Sequence, residues 1–205
     1  MPAPVKIYGI PQSRALRVLW MARELAIPHE NVQVHFAKIR ESADAMRVNP
    51  NARIPSIDDN GFRLYESLAI NLYFADKYGA GHDIVPTSIE DRALAIQWSF
   101  WVMTEIEKPV LTIMLNTVGM RPSDAATITQ CTKDLDRPLA VLEAELTGKD
   151  YILGNTFTVA DLNVASVMAW SKTAKLDMAK FPRVADWLSR CMARPAFKAK
   201  SPVAE

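Results

Sequence analysis

The sequence predicts two domains of different class, a mixed α/β domain followed by an all-α one. Three observations carry this. Strand-like and helix-like patterns alternate through residues 1–80, the texture changes at "GAGHDIVPTS", and no convincing strand follows Ile89. The domains fall at 1–80 and 89–205, with 81–88 as a linker of small, polar and Pro residues.

The elements follow in order. "VKIYGI" is β-rich and bounded by Gly9 and Pro11, a short strand. "SRALRVLWMARELAIP" reads as a helix. Ala15, Val18, Leu19, Ala22, Leu25 and Ala26 share one face, with Arg14, Arg17 and Glu24 elsewhere. Ser13 is a natural N-cap and Pro28 a natural stop. "NVQVHF" alternates as a second strand, and "ESADAMRV" makes a short helix before Asn49-Pro50. "IPSI" and "FRLY" flank Asp58-Asp59-Asn60-Gly61, a hairpin turn. "ESLAINLYFADKY" is helical by pattern. The order is β-α-β-α-β-β-α, and its first two strands, joined through a helix, are expected to be parallel.

Beyond the linker, "EDRALAIQWSFWVMTEIEKPVLTIML" is one long helical pattern, kinked near Pro109. "ATITQCTKDLDRPLAVLEAEL" is a further helical arm. "TVADLNVASVMAWS" is apolar nearly all round, as a helix buried on every side must be. "RVADWLSRCMAR" closes the pattern as an amphipathic helix.

Composition narrows the function. Of 205 residues, 49% are hydrophobic and 23% charged, the balance of a globular chain with a sizeable core. A formal net charge of +1 provides no field for a nucleic-acid or membrane partner. The longest uncharged run, "PVLTIMLNTVGM", is shorter than the roughly 18 residues of a membrane span, and "MPAPVKIYGI" has no signal-peptide pattern. Cys131 and Cys191 suggest no disulfide framework, so a reducing, cytoplasmic setting is expected. His29, His35 and His82 lack ligand-like spacing, and no metal site is expected. Phosphate-loop, dinucleotide and nucleophile-elbow motifs are absent.

What remains is a small-molecule site at strand ends and helix starts. Ser13 follows the first strand and opens the first helix, where unpaired N–H groups attract anions. It reads either as a cap alone or as part of such a site. Glu66 and Ser67 open another helix, suited either to a simple acidic start or to the carboxylate and ammonium of an α-amino acid. Pro55 removes a ladder donor and marks a strand start or edge. Thr158 and Asp161 form a capping-box pair beside Phe157, which makes Asp161 a folding residue.

The segments "YGIPQSRALRVLW", "NPNARIP", "ESLAI", "GNTFTVAD" and "WLSRCMARP", in this order and spacing, resemble the glutathione transferase superfamily over essentially the whole chain. The likeness is greatest to its serine-type bacterial, theta-like and phi-like members. The resemblance implies a thioredoxin-like N-terminal domain, a helical-bundle C-terminal domain and a homodimer. Glutathione is then a co-substrate, with no further cofactor, and the second substrate is a small apolar electrophile. Pro55 is implied to be cis and to present the Ile54 backbone to the cysteinyl part of glutathione. Glu66 and Ser67 match the residues holding the γ-glutamyl end, and Arg53 and Arg40 lie where the glycyl end is met.

Ser13 matches the serine that donates to the glutathione sulfur, with Tyr8 on the first strand as the alternative donor. Lowering a thiol pKa of about 8.5 by about two units takes roughly 2.7 kcal/mol. A charge-assisted hydrogen bond contributes roughly 1.5–3 kcal/mol and a helix start roughly 0.3–1. One hydroxyl at a helix start is therefore sufficient. Ile10, Met103, Ile106, Val110 and Met114 are candidates for an apolar electrophile pocket, with core packing as the competing role for the helical ones. Other glutathione-dependent reactions (peroxide reduction, dehalogenation, isomerisation) and a non-catalytic binding module are the alternatives. The absence of cysteine from residues 1–80 disfavours thiol exchange.

Overall fold

The computed structural model describes residues 3–199. The chain divides into two units, one running to Val85 and taking in the segment from Pro195, the other spanning Pro86–Arg194. The sequence reading draws the second domain as 89–205; in the structure the segment from Pro195 packs with the first unit.

The first unit contains β1 (Val5–Tyr8), α1 (Ala15–Glu24), β2 (His29–Val32), a 3-10 turn (Ile39–Glu41), α2 (Ala43–Val48), β3 (Ser56–Asp59), β4 (Phe62–Tyr65) and α3 (Ser67–Tyr78). This is the expected alternation, folded as a thioredoxin-like sheet of order β2-β1-β3-β4. β1 runs parallel to β2 and antiparallel to β3, and β3 pairs antiparallel with β4. The hairpin turn follows its chemistry: Asn60 and Gly61 both take positive φ, 54° and 93°, the backbone that Asn-Gly favours.

Two boundaries differ from expectation. β2 lies earlier than the "NVQVHF" alternation suggests. Each β2 residue from His29 to Val32 pairs with one of β1, and β1 ends where Gly9 turns to φ 139°, so the alternation beyond Val32 finds no partner strand. α1 begins at Ala15 with Arg14 in the N-cap position, and it ends at Glu24. Ala26 at φ 50° turns the chain before Pro28 can act as the stop.

A buried carboxylate ties the sheet to α3. Asp59 Oδ2 accepts bonds from Tyr73 Oη at 2.7 Å, Lys77 Nζ at 2.6 Å and Tyr78 Oη at 2.7 Å. Burial pushes this carboxyl up, but the bonds from Lys77, Tyr73, Tyr78 and Asn60 outweigh it and bring it down to about 2. An unfolded Asp titrates near 3.9. Between these values the unfolded chain binds the proton and the folded one does not, so stability is complete above about pH 4 and falls as the pH drops toward 2. Asp59→Asn is expected to cost about 2 kcal/mol at neutral pH and to flatten that acid limb. Urea unfolding at a series of pH values checks this, and parallel limbs in the two proteins would contradict it.

The second unit holds α4 (Ile89–Trp101), a π-helical turn (Val102–Ile106), α5 (Glu107–Thr117), α6 (Ala125–Glu145), α7 (Val159–Met168), α8 (Trp170–Ala174) and α9 (Pro182–Ala193). The interruption expected near Pro109 is the π-helical turn one turn earlier. Pro109 has no N–H for the Glu105 carbonyl and its ring crowds that group, and a π turn takes up the misfit. All ten residues of α7 are buried, as its all-round apolar pattern requires. Its start is fixed by Asp161, whose Oδ2 accepts from Thr158 N (2.9 Å) and Thr158 Oγ1 (3.1 Å). Asp161 Oδ1 accepts from Ile152 N (2.8 Å) and Trp187 Nε1 (2.9 Å). Burial raises the Asp161 carboxyl above the usual range, and these four bonds oppose the shift.

The last helix, α10 (Pro195–Lys198), returns to the first unit against α1. Phe197 meets Trp20 edge-to-face at 4.8 Å, and Arg23 Nη1 donates to the Ala196 carbonyl at 3.2 Å. No helix among the described residues is long and apolar enough to cross a membrane.

Candidate active site

Strand register defines one edge of the sheet. Tyr8 lies opposite Val32 and Ser56, and Ser56 opposite Tyr65. Three segments step off that edge: Gly9 to Ser13 after β1, Ile54-Pro55 before β3, and Glu66-Ser67 after β4. Gly9 permits their approach. A Cβ there would stand 2.8 Å from Ala15 Cβ and 3.2 Å from Ile54 Cβ, on a backbone at φ 139°. The start of α1 and the Ile54 segment therefore meet over a residue that must be glycine.

Ser13 is half-buried. Its hydroxyl donates to the Ile10 carbonyl at 2.7 Å and accepts from Ala15 N at 3.1 Å. It thus satisfies an early N–H of α1 from one residue before the N-cap position. The hydroxyl has one proton, so donation to a ligand means moving that bond off Ile10.

The Ile54-Pro55 peptide is cis. Asn49, 2% exposed, holds the preceding loop: its Nδ2 donates to the Arg53 carbonyl at 2.8 Å and its Oδ1 accepts from Asn51 N at 3.1 Å. Glu66 occupies the N-cap of α3 at φ 76°, ψ 107°, a strained conformation for a residue with a Cβ. The exposed Glu66 side chain makes no cap hydrogen bond, which leaves the first N–H groups of α3 uncapped by it. Ser67 is 4% exposed and receives a bond from Arg17 Nη1 at 3.3 Å.

Arg17 is the residue that sequence reasoning missed. Its charge placed it off the apolar face of α1, yet it is 1% exposed, between α1 and α3. It puts a fixed positive charge behind Ser67 and one helical turn beyond Ser13, where an anion is favoured. The clue was the four-residue spacing of Ser13 and Arg17 within "SRALR".

Arg40, in the 3-10 turn, and Arg53 are exposed, and among the described residues neither makes a side-chain hydrogen bond or ion pair. Tyr8 is committed elsewhere. Its ring is fully buried and its hydroxyl donates to Asp44 Oδ2 at 2.5 Å. Burial, then that bond, holds its pKa well above the ordinary tyrosine value.

The apolar candidates separate. Ile106 and Val110 are 0% exposed, packed interior residues, which corrects their place in an open pocket: their positions in the π turn and α5 face the core of the second unit. Ile10, Met103 and Met114 are half-buried. Trp98 is buried and stacks edge-to-face with half-buried Trp101 at 4.7 Å.

Sequence and structure comparisons show the family to which this fold belongs. The model of the glutathione S-transferase N-terminal domain matches residues 3–76, and that of the C-terminal domain matches residues 92–195. Glutathione S-transferase 3 of Zea mays is 32% identical over 209 residues, covering 96% of this chain and 92% of the relative. Glutathione S-transferase 1 of Schizosaccharomyces pombe is 30% identical over 204 residues, covering 89% and 88%. A glutathione transferase of Burkholderia graminis, solved with two glutathione molecules bound per subunit, superposes with a TM-score of 0.81 at 27% identity, covering 95% and 85%. The chain belongs to the glutathione S-transferase family.

Proposed function

We propose that this protein is a serine-type glutathione transferase in which Ser13 holds bound glutathione as its thiolate for attack on a small apolar electrophile. The sulfur forms the new carbon–sulfur bond, the electrophile's leaving group departs with its electron pair or its double bond takes up a proton, and the thiol proton passes to solvent. The observation that carries this reading is the shared sheet edge from which the Ser13, Ile54 and Ser67 segments all emerge. Ser67 and the α3 N-terminus, backed by buried Arg17, suit the γ-glutamyl carboxylate, and Glu66 suits its ammonium. The Ile54 backbone suits the cysteinyl part, and exposed Arg53 and Arg40 suit the glycyl carboxylate. The commitment of Tyr8 to Asp44 favours Ser13 over Tyr8 as the sulfur's donor.

We assign the apolar substrate to Met103 and Met114 of the second unit, side chains that keep some exposure. A homodimer fits the α4 stripe of Ile89, Ile96 and Phe100, exposed by 77%, 45% and 68%; a monomeric mass by sedimentation would argue against it. The test of function is an ultraviolet thiolate titration of glutathione with the purified protein. A bound thiol titrating well below about 8.5 supports activation. Bound glutathione with an unshifted thiol favours a non-catalytic binding module, and no binding refutes the assignment.

A further inference from the structure

We infer that Tyr8 is a positioning residue, whose hydroxyl tethers α2 to the sheet through Asp44 and so holds in place the segments on either side of α2 that receive glutathione. The inference rests on the glutathione reading above for its consequence, and on the fold alone for its mechanism. The Tyr8 ring forms the floor of a buried cluster with Val34, Ile39, Ala45, Val48 and Ile54. Every one of these partners lies in β2's exit, the 3-10 turn, α2 or the loop that follows it. The hydroxyl is the single polar atom of the ring, and it emerges from under α2 at the first-turn carboxylate of Asp44, 2.5 Å away.

The bond continues as a chain. Asp44 Oδ1 accepts from Arg47 Nη2 at 2.7 Å and Nε at 3.2 Å. Arg47 Nη2 reaches Asp58 Oδ2 on β3 at 3.4 Å, and Asp58 Oδ1 accepts from Gly61 N in the hairpin at 2.8 Å. α2 is thus fastened at its start to β1 and at its end to the β3–β4 hairpin. It is only six residues long, too short to persist by its own propensity. Arg40 sits immediately before it and the Asn49 latch on Arg53 immediately after. Release of α2 lowers the fraction of molecules with both segments in place, and apparent affinity falls by that fraction. The sulfur's donor at the start of α1 is not on this segment.

Tyr8→Phe keeps the ring and removes only the tether. Amide exchange across Ala45–Val48 is expected to speed up about tenfold, the loss of one charge-assisted bond. The glutathione Kd by calorimetry, and KM with it, should rise at least about threefold. The pKa of the bound thiol and kcat at saturation should stay as in the parent. Asp44→Asn, which keeps an acceptor for Tyr8 but loses the charge for Arg47, should lie between parent and Tyr8→Phe. Unchanged exchange at α2 would overturn the tether, whatever happens to glutathione. Faster exchange with unchanged Kd would overturn its role in binding. A raised thiol pKa with unchanged Kd would make Tyr8 a donor to the sulfur instead. A parent protein that binds no glutathione, with α2 still released in Tyr8→Phe, would refute the proposed function and the binding consequence while leaving the tether standing.

Discussion

Ser13→Ala is expected to slow conjugation by roughly 5- to 30-fold while leaving glutathione affinity within about threefold. The magnitude follows from what the hydroxyl does before glutathione arrives. Its proton rests on the Ile10 carbonyl at 2.7 Å, so stabilising a thiolate exchanges a neutral acceptor for a charged one. The net preference for the anion is the difference between the two bonds, about 1–2 kcal/mol, not the whole of the charge-assisted bond. The α1 dipole and the Arg17 charge remain in the variant and limit the loss. Two readouts check this, turnover with an activated aryl halide and the titration of the bound thiol, which should shift toward about 8.5. Parent-like turnover in Ser13→Ala would remove Ser13 from the mechanism.

The largest stability effect should come from Asp161. Asp161→Ala strands Ile152 N, Thr158 N and Trp187 Nε1, three buried donors that share this carboxylate. Each stranded donor costs about 1–3 kcal/mol, and relaxation keeps the sum below simple addition. A loss on the order of 4 kcal/mol is expected, large against a total stability of about 5–15 kcal/mol. Asp161→Asn should recover only part of it, because its amide turns N–H groups toward donors. Denaturant unfolding measures both, and a loss under about 1 kcal/mol in the alanine variant would contradict the bonding described.

Local chemistry was legible in the sequence where one residue type has one job. Asn60-Gly61 specified a hairpin because few other pairs accept two positive φ values, and both are observed. Thr158 and Asp161 specified a helix start because their spacing matches the geometry of a helical turn. Pairing across distance was not legible. Nothing in the chain announces that Trp187 shares the carboxylate that caps α7, or that Tyr8 reaches Asp44, 36 residues on. Helix-face reasoning also failed on Arg17, since it assigns charge to solvent and a buried cation between two helices breaks that rule. The same face on α5 offered Val110 and Met114 equally to a pocket; packing buries the first and half-exposes the second.

The return of α10 to α1 has a consequence for synthesis. The first unit is completed by residues that leave the ribosome after the whole of the second, so Trp20 lacks its contact with Phe197 while Pro86–Arg194 is made. The emerging sheet must therefore hold an incomplete α1 face in solution during elongation, and α1, which carries Arg17 and begins two residues after Ser13, reaches its final packing last. A protease nick or premature stop before Phe197 would therefore remove a contact from α1 at a position far along the chain from Ser13.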